Sequence, residues 1–127
     1  MLSVGERIRV LNESRGTVLA EQARRASSYW ARFRGLLLFP ELLDGEGLVL
    51  EPCASIHMFF MRYPIDVVFA SREALVVGLV RAIGPWRMTR FFRGARMAIE
   101  LPVGVIERTG TEEGDRLSLE RVEPACS

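Results

Sequence analysis

After Asp44-Gly45-Glu46-Gly47 the chain is written as short extended runs. Residues 48–50, 55–60, 65–70, 74–80, 96–101 and 116–120 are rich in β-branched and aromatic side chains, and turn residues separate them. Connections this short exclude a sheet that is parallel throughout, because each parallel pair needs a crossover of about a dozen residues or more. Hairpins remain. Ser71-Arg72-Glu73 closes one between two of the most apolar runs. Asn12-Glu13-Ser14-Arg15-Gly16 closes another, between Ile8-Arg9-Val10-Leu11 and Thr17-Val18-Leu19-Ala20.

One segment breaks the pattern. Across residues 27–39, Trp30, Phe33 and Leu37 recur at helical spacing, Tyr29 and Leu36 widen the stripe, and Arg32 and Arg34 fall between. Ser27 or Ser28 can cap its start, and Pro40 stops it. Many short strands and one amphipathic helix predict a mostly β, α+β fold: a small, mainly antiparallel β-barrel with the helix covering an opening. With 127 residues, 49% of them apolar, the chain can bury a core as a single domain, residues 1–127, without metal or disulfide support. Residues 120–127 read as a loose tail.

A net charge of +1 argues against a surface built wholly for nucleic acid or anionic lipid. All 17 basic residues are arginine, whose fork suits phosphate and carboxylate, but lysine is missing along the whole chain and a coding bias explains that more simply. The first residues carry Glu6, Arg7 and Arg9 and lack the apolar core of a signal peptide. No run approaches the ~18–20 apolar residues of a membrane span. A soluble, cytoplasmic protein is the expectation, with no cofactor, no membrane and an open oligomeric state.

Cys53 and His57, the chain's single histidine, stand four residues apart. If 55–60 is extended they lie about 13 Å apart at ~3.3 Å per residue, too far for one metal ion or a thiolate–imidazole contact. A helix would bring them together, but Met58-Phe59-Phe60-Met61 has strand character and sits between Pro52 and Pro64. With no second histidine and only Cys126 besides, a metal site is not expected. Cys53 reads as a small apolar filler, and His57 stays a candidate only through polar neighbours that converge on it.

Two carboxylates interrupt apolar strands. Asp66 lies inside Ile65-Asp66-Val67-Val68-Phe69, where a charge needs a partner or a structured cavity. An Asp–Arg clamp with Arg62 or Arg34, or a carboxylate accepting backbone N–H groups, would satisfy it without a ligand. In Met97-Ala98-Ile99-Glu100-Leu101, the odd positions share one face and Ala98 and Glu100 the other. That second face either looks into a barrel mouth, with Glu100 as its polar handle, or leaves Glu100 facing solvent. Asp115, after Gly114, reads as a turn device bonding nearby N–H groups.

Residues 81–96, RAIGPWRMTRFFRGAR, hold five arginines, no acid, and Trp86, Phe91 and Phe92. Such a loop can grip an anion, with Trp86 as a lid and Arg87 reaching the ligand, or its aromatics can pack down on the barrel.

RFRGLL (32–37), GEGLVLEPCASIHMFFMRYPIDVVF (45–69), IELPVG (99–104) and GTEEGDRL (110–117) together resemble the DUF192 family of prokaryotic proteins, over residues 17–119. The family commonly has Trp-Met-Lys/Arg where this chain has Phe60-Met61-Arg62, and members outside one branch lack Cys53 and His57. The resemblance implies a compact β-rich domain and no known activity, and it argues against a family-wide catalytic role for Cys53 or His57.

The expectation is therefore a non-enzymatic domain binding a small anionic ligand or a partner-protein segment. Arg62, Trp86 and Arg87 would grip the ligand, and His57, Asp66 and Glu100 would line the site. No catalytic residue is assigned. Two alternatives stand beside it: a hydrolase or isomerase using Asp66 and Glu100 in one cleft, and single-stranded nucleic-acid binding through the 81–96 loop.

Overall fold

A computed structural model of the chain describes residues 7–26, 41–55 and 63–122. The amphipathic segment 27–39, most of the 55–60 run, His57 and Arg62 lie outside the described residues. Seven strands form one sheet: β1 (Arg7–Asn12), β2 (Thr17–Ala26), β3 (Glu46–Leu50), β4 (Ile65–Ala70), β5 (Val76–Ile83), β6 (Met97–Leu101) and β7 (Leu117–Arg121). Their order is β5-β4-β6-β3-β2-β1-β7. All neighbours pair antiparallel except β2 and β3, which run parallel and are joined by the long 27–45 connection such a pair requires. Glu120 and Arg121, expected in the tail, belong to β7, and the Val122 N–H bonds to the Arg7 carbonyl at 3.0 Å.

The sheet curls into a half-barrel. Its two edges meet at one end, where Leu75 bridges Arg116 and the Leu117 N–H donates to the Ala74 carbonyl at 2.8 Å. Every strand sends side chains to one common cluster, among them Ile8, Val10, Leu19, Val49, Val68, Val76, Ile99, Leu101 and Leu117. That cluster is the inside of the curl. A second cluster draws on β3, β4, β5 and β6 alone, through Leu48, Leu50, Ile65, Val67, Phe69, Ala98 and Ile83, with Phe92 from the following loop. It lies on the outer face, roofed by segments 51–55 and 84–96. Strands β4 and β6 are thus buried on both sides, and for β4 this explains the unbroken apolar run flanking Asp66.

A five-residue helix, α1 (Val105–Thr109), was not expected from the sequence. It is too short to show a period, but left-handed glycines bracket it, Gly104 at φ 102° and Gly110 at φ 70°. Val105 and Ile106 enter the inner cluster beside β2 and β4.

Candidate functional site

Asp66 sits 1% exposed at the second position of β4, opposite Leu101 of β6, and so faces the inside of the curl. Across β5 the register jumps: Ile65 pairs with Ile83 and Val67 with Val80, leaving Arg81 and Ala82 opposite Asp66 alone. That is a β-bulge, with Ala82 in the left-handed region at φ 50°. The carboxylate supplies what the bulge and the neighbouring helix lack. Its Oδ1 accepts the Ala82 N–H at 2.9 Å, and its Oδ2 accepts the N–H groups of Gly104 at 3.0 Å and Ile106 at 3.1 Å. Asp66 is the remote cap of α1, whose own N-cap glycine has no side chain to serve it. Of the expected roles for Asp66, acceptance of backbone N–H groups is the one found.

Glu100 is equally buried, 1% exposed, but pairs with Val67 of β4 and Leu48 of β3. Directly opposite residues share a face, and adjacent ones do not. Val67 and Glu100 therefore point to the outer cluster and Asp66 to the inner one. The two carboxylates stand on opposite faces of the same sheet, which removes the paired acid and base expected of a hydrolase or isomerase. It also removes a single pocket lined by both. Glu100 is neither a solvent-facing glutamate nor a handle in the barrel mouth; it is enclosed beneath the roof of the outer face.

Cys53 belongs to the same roof. Its side chain packs on the outer cluster, its N–H bonds to the Arg96 carbonyl at 2.9 Å, and its thiol donates to the Ser55 carbonyl at 3.1 Å. Burial pushes the thiol above its ordinary 9.0, and the negative charge of Glu100 adds to this. A protonated, half-buried thiol is a filler rather than a nucleophile. Glu51, at the start of this segment, ion-pairs with Arg25 of β2 and Arg96 of the loop, tying roof to sheet.

The arginine-rich loop divides in two. Its second half is anchored: the Phe92 ring stacks on Phe69 with centroids 4.4 Å apart, and its N–H bonds to the Ala54 carbonyl at 2.8 Å. Gly78 makes this possible, since a Cβ there would stand 2.1 Å from the Phe92 ring. The Arg90 guanidinium lies 4.1 Å above the other side of that ring. The first half is presented to solvent. Trp86 and Phe91 are each 68% exposed and Met88 59%. Trp86 is also held at φ 65°, an uncommon conformation for a bulky side chain. Arg81, Arg87 and Arg93 are exposed and make no ion pair with any described residue. The structure thus separates aromatics that the sequence left together: Phe92 packs down, whereas Trp86 and Phe91 stand out.

A last polar group ties the β1–β2 turn to the C-terminal end of α1. Asn12 donates to Asp115 at 2.9 Å and Thr111 at 3.2 Å, Arg15 reaches Asp115 at 3.0 Å, and the Glu112 N–H donates to Asp115 at 2.9 Å. Burial raises the Asp115 carboxyl, but these hydrogen bonds and the Arg15 charge outweigh it and bring it down to about 2. Every acceptor is used, so the group is a structural knot, consistent with the turn role read from Gly114-Asp115. Among the described residues, no three His, Cys, Asp or Glu side chains gather as a metal site, and no helix is long and apolar enough to cross a membrane.

Of the six expected ligand contacts, Trp86 and Arg87 lie on one exposed loop, Glu100 under the outer roof and Asp66 inside the curl, while His57 and Arg62 fall outside the described residues. The packing-down expected as an alternative for the loop's aromatics holds for Phe92 alone; the residues missed in the sequence are Gly78, which makes its slot, and Met88 in the exposed part.

Residues 10–119 match the model of the DUF192 family, described as an uncharacterized ACR. A UPF0127 protein of Thermococcus sibiricus is 39% identical over 115 residues, covering 87% of this chain and 74% of that protein. A UPF0127 protein of Pyrococcus furiosus is 36% identical over 116 residues, 89% of this chain and 99% of that one. Among solved structures, a protein of Sinorhizobium meliloti 1021, provisionally described as a transcription regulator, superposes with a TM-score of 0.74 at 21% identity, covering 94% of this chain and 97% of that one. A protein of unknown function from Novosphingobium aromaticivorans gives 0.72 at 20% identity, covering 88% and 83%. At these identities the two structures speak for the fold alone. The family model and the UPF0127 relatives speak for descent: the chain belongs to the DUF192 family.

Proposed function

We propose that this protein is a non-catalytic binding domain whose contact surface is the exposed part of the 84–96 loop, and that its ligand is anionic. The observation that carries the reading is the combination in that loop. Trp86, Met88 and Phe91 stand in solvent beside Arg87 and Arg93, which have no ion-pair partner among the described residues, on a segment fastened to the sheet through Phe92. Large apolar side chains held exposed on an ordered loop mark a surface that becomes covered by something else. Arginines without partners favour carboxylates or phosphates as that something. Asp66 has no place in the reading, since its oxygens are committed to the backbone.

The test is a binding panel of pyrophosphate, citrate, oligo-dT and a displayed peptide library, read by thermal shift and by Trp86 fluorescence in a Trp30→Phe chain. At least one anionic probe is expected to bind the wild type and to lose binding in an Arg87→Ala/Arg93→Ala variant. A panel in which nothing binds, or in which binding ignores those two arginines, disproves the reading.

A further inference from the structure

We infer that the occupant of this loop is a protein segment bearing both carboxylates and large apolar side chains; the inference rests on the binding role proposed above and names its partner. Side chains as exposed as Trp86 and Phe91 do not enclose a ligand, whereas small-molecule sites bury about 70–90% of theirs. They suit a partner that lies across them. Met88 points the same way, because an unbranched thioether adapts to varied peptide side chains and offers no flat face for a base to stack on.

The charge supply is small. Arg87 and Arg93 of the loop, and Arg81 near the end of β5 beside it, make no ion pair among the described residues, whereas Arg96 is engaged by Glu51 and Arg90 by the Phe92 ring. Three guanidinium forks match two or three carboxylates bidentately. They fall short of the roughly 6–10 phosphate contacts from which a nucleic-acid binder draws its affinity, and a net charge of +1 adds nothing from the rest of the surface. The stacked Phe92 holds the presented half in place before the partner arrives, which lowers the ordering cost of association.

The experiment is selection of a random displayed peptide library on the full chain, with counter-selection on Trp86→Ser/Phe91→Ser. Both residues are exposed, so this variant is expected to fold, and its thermal unfolding is measured alongside. Enriched sequences should carry Asp or Glu together with Leu, Phe or Trp. A synthetic copy should bind roughly tenfold or more tightly than the same peptide with its apolar residues changed to Ser, as for contacts that carry most of an interface's energy. If pyrophosphate or oligo-dT binds through Arg87 and Arg93 while the enriched peptides show no acidic and apolar bias, the partner is wrong and the binding role stands. If no probe binds, both are wrong.

Discussion

Replacing Asp66 with Ala removes one carboxylate and strands three donors. The Ile106 N–H is fully buried, so losing its acceptor costs about 1–3 kcal/mol, while the Ala82 and Gly104 N–H groups belong to exposed residues that water can reach and cost about 0.5–1.5 kcal/mol each. The sum is about 2–6 kcal/mol, against a total stability of roughly 5–15 kcal/mol for a domain. At about 3–6 °C per kcal/mol for a chain of this size, Tm should fall by about 6–36 °C. Asp66→Asn keeps one acceptor oxygen but turns an amide N–H₂ toward a donor, so it should fall between wild type and Ala. The assay is thermal and denaturant unfolding of the three proteins together with amide hydrogen exchange. Exchange should accelerate first at Ala82, Gly104 and Ile106. An Asp66→Ala protein within about 0.5 kcal/mol of wild type, the range of an ordinary surface change, would refute the capping argument. So would lost stability with those three amides still protected.

Two further outcomes follow from the outer face and the knot. Gly78→Ala should force the Phe92 ring off Phe69, cost about 1–3 kcal/mol by overpacking, and open the 84–96 loop to limited proteolysis. Combined with Phe92→Ala its effect should largely vanish, and additivity in that double-mutant cycle would contradict the slot. For Asp115, the folded carboxyl lies at about 2 against an ordinary 3.8, so the ionised form stabilises the fold. That contribution is complete above about pH 4 and drains away as pH falls toward 2, and Arg15→Gln should shrink it. Equal acid sensitivity in wild type and Arg15→Gln, followed by circular dichroism, would exclude the assignment.

What the sequence disclosed and what it withheld divide along distance in the chain. Strand β4 was legible from Ile65 to Ala70 because β-branched propensity is local, and so was the alternation of Met97, Ile99 and Leu101 against Ala98 and Glu100. Both hairpins announced themselves through their turns. The separation of Asp66 from Glu100 was not legible, because it depends on the register of β4 against β6, which no local pattern encodes. Helix α1 was invisible for a related reason. The carboxylate that starts it lies 38 and 40 positions upstream of the amides it caps. The parallel β2–β3 pair was equally hidden, since strand direction is a property of two segments. In the arginine loop, composition flagged the surface but could not say which aromatic was inward. That choice was made at Gly78, by the absence of a side chain in a different strand.

The pairing of β1 with β7 sets the first and last described strands side by side, with Arg7 and Val122 joined by a backbone bond. A linker of a few residues would span the gap between Arg7 and Val122 and close the described strands into a ring. New termini could then be opened in an exposed turn, as circular permutation requires. The chain therefore enters β1 and leaves β7 on one flank of the sheet, rather than at two separate poles.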